Sequence, residues 1–412
     1  MTEPRSVAVV GAGMVGLSTA WFLQDRGVDV TVVDAAGPAA GASWGNAGWI
    51  TPTLSTPLTD PSMVTHGLRQ LFKATSPLYV PLTFDPALYA FLARMARNST
   101  PARWRAGVGK LVGVNRRALE AFDDLAAGGV DGPISDADEF LFGYTDAAGP
   151  QAMVAEGRRL SALGQQVDVE IISADTARAE APMLSDRIVG ALRLHGQRFI
   201  DPPAFVQALA DSFVRRGGTL VTAQVSGIDD LGAAVHLAGA GIGREFSAAV
   251  IASGVTLRGL AHPFGVRTRV RAGRGYSFAV DTRDLPRGPV YFPGSSVVCT
   301  PLGERMRIAG MMEFAPHEAP LDPRRIGAIV DSVRPLLSGV DLDRRHDEWV
   351  GSRPCTEDGL PLVGATASPR VFVAGGHAME GMTLGPITGK LLAEQITTGD
   401  RIPALAGFDP LR

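Results

Sequence analysis

The residues of this chain best suited to chemistry stand near its two ends. At the beginning, Gly11-Ala12-Gly13-Met14-Val15-Gly16 follows the apolar run Val7 to Val10 and opens a helical pattern, while Asp34 ends the next apolar run. Three glycines at this spacing let a strand turn tightly, let backbone approach a pyrophosphate, and let a helix pack hard on a sheet. The helix then offers the phosphates unpaired N–H groups and partial positive charge. Asp34 stands 23 positions after Gly11, near the roughly 20-residue offset at which a carboxylate accepts from a ribose hydroxyl. The glycines alone are weak in a chain with 49 of them. Strand, glycines, helix, strand and acid together point to a nucleotide grip.

Toward the other end, Gly375 to Pro386 joins the apolar strand Val371 to Ala374 to a helix expected from Pro386 to Gln395. Proline at a first helical position with glycine before it is a helix-start signal. Glycines ahead of that start let backbone lie flush on a flat ligand, and the helix dipole favours negative charge there. A reduced flavin is negative at its N1–C2=O edge, so the two loops together favour a flavin over a nicotinamide. The candidate contacts from these loops are Gly11, Gly13, Met14, Val15, Gly16, Asp34, Ala35, Gly376, Gly381, Met382, Thr383 and Leu384.

The elements that must position these loops follow from the apolar spacing. Residues 6 to 34 read as strand, helix and strand, with Gly27 closing the helix. The small-residue stretch from Ala36 to Trp49 is too glycine-rich for a helix and too long for a simple turn; it is a binding loop or a surface connection. Helical spacing dominates from Pro61 to Phe122, broken at Pro77, Pro81, Pro86 and Pro101. Between Asp85 and Glu120 lie seven basic residues, Arg94, Arg97, Arg103, Arg105, Lys110, Arg116 and Arg117, and no acid. Such a run is either a solvated face or a surface for anionic lipid or an acidic electron acceptor. Residues 150 to 253 return to the nucleotide-binding style, with helices Ala152 to Leu163 and up to Arg216, strands Val189 to Leu194 and Thr219 to Ala223, two alternating strands through Gly239-Ala240-Gly241, and the run Ala248 to Ala252. From 262 to 345 the pattern is β, with Arg267, Arg269 and Arg271 alternating on one strand and further strands at Tyr276 to Val280, Val290 to Thr300 and Arg305 to Gly310. The nucleotide fold is expected to resume near Trp349.

The fold class is therefore α/β with α+β: a Rossmann-like domain over 1–60, 146–260 and 346–412, and an antiparallel-sheet substrate domain with a helical insertion over 61–145 and 261–345. With 412 residues the chain holds two or three folding units at about 100–200 residues each. A formal charge of −3 gives no reason to expect nucleic acid. Cys299 and Cys355 make no disulfide framework, no metal-ligand spacing of Cys or His is evident, and no apolar run reaches a membrane span. With the first strand near Ser6 leaving no space for a signal peptide, a cytoplasmic protein is expected, with peripheral contact at the inner face of the membrane as an option.

Four passages carry a resemblance: the opening fingerprint, Gly41-Ala42-Ser43-Trp44-Gly45-Asn46-Ala47-Gly48, the pair Trp349 to Pro354 and Thr356 to Pro361, and the closing glycine loop. They resemble the FAD-dependent amine and D-amino acid oxidoreductases, among them D-amino acid dehydrogenase and oxidase, glycine oxidase and sarcosine oxidase. The Ser-x-x-Asn-Ala-Gly loop is most similar to the bacterial dehydrogenases. The resemblance implies non-covalent FAD, an amino-acid substrate, and hydride transfer from Cα to flavin N5 giving a 2-oxo acid and ammonia. It implies a quinone, an electron-transfer protein or dioxygen as acceptor. Arg353 matches the family's carboxylate-binding arginine, as a guanidinium suits two parallel charge-assisted hydrogen bonds; the alternative is an ion pair with Glu357 or Asp358. Tyr291 matches a tyrosine that helps hold the carboxylate, with Tyr276 the competing choice, and His377 stands where the closing loop meets the flavin. Ser43, Asn46, Ala47, Gly48, Val225 and Gly254 match further FAD contacts, and Met379, Met382, Trp49 and Phe292 are candidates to shape the side-chain pocket. A dehydrogenase or oxidase of a secondary amino acid (hydroxyproline, proline, sarcosine), a glycine oxidase, or a flavin subunit that needs a partner would use the same residues.

Overall fold

The computed structural model describes residues 4–61, 76–137, 140–239 and 241–412. The expected helical stretch over 62–75 and Ala240 lie outside them. A six-stranded sheet runs in the order Thr219–Thr222, Asp29–Asp34, Ser6–Val10, Ala248–Ile251, Val371–Gly375, Leu362–Ala365. All neighbours are parallel except the last pair. The opening run Val7-Ala8-Val9-Val10 is apolar on both faces because both faces are covered. Val7 and Val9 pack with the helices Met14–Asp25, Pro202–Arg215 and Gly381–Thr398. Ala8 and Val10 face a small antiparallel sheet of Gly227–Asp230, Val235–Ala238 and Glu245–Phe246.

A second, nine-stranded sheet has the order Arg345–Thr356, Val270–Asp281, Arg305–Glu313, Val297–Leu302, Val290–Phe292, Phe140–Tyr144, Gly190–Leu194, Val169–Ile172, with Leu78–Tyr79 alongside Arg305–Glu313. It is antiparallel except where Val290–Phe292 meets Phe140–Tyr144 and where Leu78–Tyr79 joins. Alternation along Val270–Asp281 sorts its residues. Tyr276, Phe278 and Val280 face the helix Pro323–Val333, leaving Gly273, Gly275, Ser277 and Ala279 on the other face. The helices Pro86–Asn98, Pro101–Asn115 and Ala118–Ala127 form the expected helical layer, and Asp85 and Thr100 cap the first two through side-chain oxygens.

Several sequence expectations change here. The strand Gly190–Leu194 hairpins with Phe140–Tyr144 and Val169–Ile172 and so belongs to the larger sheet, not to the nucleotide fold. Trp349 lies inside Arg345–Thr356, which pairs almost throughout with Val270–Asp281. Periodicity identifies a strand but not its partner. Arg267 and Arg269 precede the strand that begins at Val270, and Arg271 pairs with Asp85 at 3.0 Å. The run Val290 to Thr300 is two strands around a turn at Pro293–Ser296. The last helix begins at Gly381 and holds Pro386 inside it, so Gly381 to Leu384 form its first turn.

The first and last helices touch through glycines. A Cβ on Gly389 would lie 2.6 Å from the backbone of Ser18 and Thr19, and one on Gly385 would lie 2.7 Å from Met14 Cγ. Gly389→Ala is expected to cost about 1–3 kcal/mol through overpacking, read as a lowered urea midpoint. A midpoint matching the parent would show that the helices separate freely.

Candidate active site

The carboxyl ends of the central strands open on a cavity of about 840 Å³, the place where parallel sheets bind ligands. The three glycines of the opening turn act differently. A Cβ on Gly11 (φ +117°) would strike the Ala252 carbonyl at 2.4 Å, and one on Gly16 would strike the Gly11 carbonyl at 2.0 Å. Both are packing constraints. Gly13 would meet only Ser43 Oγ at 3.5 Å, so its missing side chain is open space at the helix start. No side chain caps this helix, and its first turn has no acid. Met14 N–H reaches Ser43 Oγ at 3.4 Å. The Asp34 carboxylate accepts from the N–H groups of Ala12 (2.8 Å), Ala36 (2.8 Å) and Gly37 (2.9 Å), which fixes the turn around it.

Gly11, Gly13, Met14, Val15, Asp34, Ala35, Ser43, Asn46, Val225, Gly254, Gly381, Met382, Arg353 and His377 all line this cavity. The cavity wall does not include Gly16, Ala47, Gly48, Gly376, Thr383, Leu384 or Tyr291. Gly48 (φ +79°) is needed because a Cβ there would lie 2.0 Å from the Ile200 carbonyl. Asn46 Oδ1 accepts from Gly48 N–H at 2.9 Å. Thr383 ties the closing helix to the early chain by donating to the Trp49 carbonyl at 3.2 Å, and Leu384 is core. Sequence reasoning missed Ser253, whose buried hydroxyl has no partner among the described residues, and Trp349. Gly45 and Gly351 were the available signal for Trp349, since its indole occupies the space a Cβ on either would need.

The loop Gly41–Trp49 is pinned to the second sheet. Ser277 donates to the Gly45 carbonyl at 2.8 Å, Trp49 Nε1 donates to Thr300 at 3.0 Å, and the buried Arg307 guanidinium stands 5.1 Å over the Trp44 ring. Arg353 projects from Arg345–Thr356 into the cavity, and burial lowers its pKa. Its Nη1 donates to the Met311 carbonyl at 3.0 Å. Glu357 pairs with Arg94 (3.2 Å) and Asp358 with Arg412 (2.7 Å). Among the described residues no carboxylate lies within ion-pair distance of Arg353.

Neither tyrosine hydrogen-bonds Arg353 among the described residues. Tyr276 is on the opposite face of its strand and donates to Glu313 Oε2 at 2.5 Å. The register carries Tyr291 three strands from Val270–Asp281, about 14 Å away at ~4.8 Å per strand. There it packs edge-on against Trp49 and Phe142, and burial raises its hydroxyl pKa. His377 lines the cavity with Nε2 3.0 Å from Thr388 Oγ1 and a buried Nδ1 that has no partner among the described residues. An isolated bridge between Cys355 and His377, with Ala378 N–H on the Pro354 carbonyl at 3.0 Å, ties the closing loop to the arginine strand. Neither cysteine lines the cavity, and both are buried.

The family model for FAD dependent oxidoreductases matches residues 6–395. The chain belongs to that family. It is thus an FAD-dependent oxidoreductase. The chain is 30% identical to a D-amino acid dehydrogenase of Azorhizobium caulinodans over 98% of each chain. It is 31% identical to one of Cereibacter sphaeroides, over 98% of this chain and 94% of that one. Among solved structures, glycine oxidase from Geobacillus kaustophilus superposes with a TM-score of 0.72 at 21% identity, covering 100% of this chain and 99% of that one. The cavity fits FAD by its own geometry: open space at Gly13 below an uncapped helix, a second uncapped helix at Gly381, and orphaned polar atoms on Ser253 and His377.

Two buried groups of this flavoenzyme titrate abnormally. Burial lowers His377 from 6.5 to about 4, leaving it neutral at physiological pH. Burial raises the Glu380 carboxyl from 4.5 to about 7, against an opposing hydrogen bond from Ser55. As pH falls from 6.5 toward 4, the unfolded chain gains a proton that folded His377 refuses, so stability drops by up to about 3 kcal/mol. As pH rises from 4.5 toward 7, folded Glu380 keeps a proton that the unfolded chain releases, so stability drops in the opposite direction. In urea titrations across pH 4–8, His377→Gln is expected to flatten the acid limb and Glu380→Gln the neutral limb. Parent-like slopes in both variants would contradict these environments.

Proposed function

We propose that the enzyme oxidises a D-amino acid to its 2-oxo acid and ammonia and hands the electrons to a quinone or an electron-transfer protein. The observation that carries this reading is the Arg353 guanidinium, facing the cavity without a carboxylate of its own among the described residues. Buried charges are normally paired, and an amino-acid carboxylate is the matching partner. The names of the two bacterial relatives agree in substrate class. FAD, when bound, supplies the hydride acceptor. Gly11, Gly13, Ser43 and the first turn from Gly381 would hold it. Arg353 fixes the substrate carboxylate, so the Cα–H is oriented by a two-point anchor rather than by side-chain contacts, and catalysis is largely orientation. His377 is neutral and cannot repel a protonated amine before it loses its proton. The imino acid released then takes up water to give the 2-oxo acid and ammonia.

For the acceptor, we extend the proposal to the helical layer. Arg94, Arg97, Arg103, Arg105 and Lys110 are all exposed there, and each basic group near an anionic bilayer contributes about 1 kcal/mol. No helix among the described residues is long and apolar enough to cross a membrane, so the contact proposed is peripheral. Charge reversal at Arg97 and Arg105 is expected to abolish low-salt pelleting with anionic vesicles. Retention of pelleting would remove the helical layer from the proposal.

Arg353→Ala is expected to leave the protein yellow and to lower kcat/KM for D-amino acids about 10–10²-fold, because a hydrogen bond between charged partners is worth about 1.5–3 kcal/mol. Stopped-flow flavin reduction by a panel of D-, L- and cyclic amino acids tests both residue and substrate class. Unchanged reduction in the variant would refute the anchor, and no reduction by any amino acid would refute the activity.

A further inference from the structure

The second sheet bears an irregularity directly beside Arg353. The pairing of Val270–Asp281 with Arg305–Glu313 runs regularly from Asp281 to Tyr276, opposite Gly310, and then jumps, so that Arg274 meets Glu313. Met311 and Met312 together therefore oppose the single residue Gly275, which is a β-bulge. Met311 takes a left-handed backbone (φ +63°), which a side-chain-bearing residue keeps only when its surroundings hold it there. Its carbonyl leaves the ladder and accepts from Arg353 Nη1 at 3.0 Å. On the facing strand, a Cβ on Gly275 would lie 2.2 Å from Arg353 Nη2, 2.3 Å from Cζ and 2.6 Å from Nη1. The guanidinium thus rests on the bare Cα of Gly275. A Cβ on Gly273, directly across from Arg353, would meet Cys355 Sγ at 2.6 Å.

We propose that Gly275 and the Met311 bulge are positioning residues, a seat and a clasp that fix the Arg353 guanidinium and thereby set the site's preference for a carboxylate over a neutral group. The proposal rests on the reading of Arg353 as substrate anchor. A guanidinium presents its five N–H donors in one rigid plane. With Nη1 committed to the Met311 carbonyl and one face on Gly275, rotation about the side chain is blocked, and the remaining edge stays turned toward the cavity. A long arginine held only by its stem would sample many rotamers, and ordering it would subtract from binding. Within the small-residue face, Gly275 is explained by the same geometry, since any side chain there would take the space of the guanidinium.

The test compares holoenzyme variants by acetate binding, followed in the flavin absorbance, and by turnover of one amino acid and its carboxamide. Gly275→Ala displaces only the far end of a flexible side chain, so folding and colour are retained. Acetate Kd and the KM for the acid are expected to rise at least tenfold, while the amide changes less than twofold. Met311→Ile is the second variant, similar in volume but β-branched and averse to a left-handed backbone; it is expected to weaken acetate in the same way without a clash at Gly275. Acetate binding at the parent level in both variants, or equal losses for acid and amide, would overturn the proposal. Arg353→Ala in the same series separates the two claims. If it too binds acetate as the parent does, the anchor itself is wrong. If it alone loses acetate, the anchor stands and the seat falls.

Discussion

A part-buried cation with no counter-charge among the described residues is the constraint on which this structure turns. Taking a charged group out of water costs several kcal/mol even after relaxation, and burial lowers the pKa of Arg353. Among the described residues, Glu357 is committed to Arg94, Asp358 to Arg412, and Glu313 to Arg274 and Tyr276. Among the described residues the Met311 carbonyl accepts from the guanidinium, and a neutral acceptor offsets only part of the cost. In the proposed reading, that deficit is what would give an incoming carboxylate its advantage. Removing water from the cavity strengthens that attraction further.

The same constraint explains how the two sheets are joined. An anchor on one sheet is useful only if the glycine loops of the other are held at a fixed distance from it. Two ties do this directly, the Cys355–His377 bridge with Ala378 on the Pro354 carbonyl and Ser277 on the Gly45 carbonyl, and Thr383 on the Trp49 carbonyl joins the Gly41–Trp49 loop to the closing helix. All use backbone carbonyls, so they fix the chain path rather than particular side chains. Hydrogen bonds of this kind contribute about 1 kcal/mol each; their value here is geometric.

How much of this was legible in the sequence depended on how local each feature is. Gly11, Gly13 and Gly16 with Asp34 could be read because strand, turn, helix and acid follow one another within 29 residues, Ser6 to Asp34. Arg353 could be singled out only through family resemblance, since nothing in its own neighbourhood separates it from a partner of Glu357 or Asp358; what the structure adds is that it lines the cavity. The tyrosines could not be placed from the sequence because their positions depend on strand order. Tyr276 differs from Gly275 by one step of alternation, and Tyr291 stands three strands out through pairings no local pattern encodes. The bulge at Met311 is a one-residue slip between strands about 35 positions apart, invisible to periodicity. The start of the last helix was misplaced because Pro386 imitates a first-turn proline, whereas packing of the helix on Met14–Asp25 carries it through.

That helix packing also settles the electrostatics of the cavity. Gly385 and Gly389 let the first and last helices approach to backbone contact, so both N-termini end at one cavity, with Gly13 and Met14 on one side and Gly381 and Met382 on the other. Neither helix has a side-chain cap or an acid in its first turn. Each end is equivalent to roughly half a positive charge, and two uncapped ends sharing one cavity would raise each other's energy if nothing negative lay between them. A dinucleotide, with a diphosphate and a ring that becomes anionic on reduction, would supply the negative charge that both ends favour. Glu380 stands beside the closing helix start, and burial raises its carboxyl to about 7, so near neutrality it is only about half ionised and cancels the positive end it adjoins only in part.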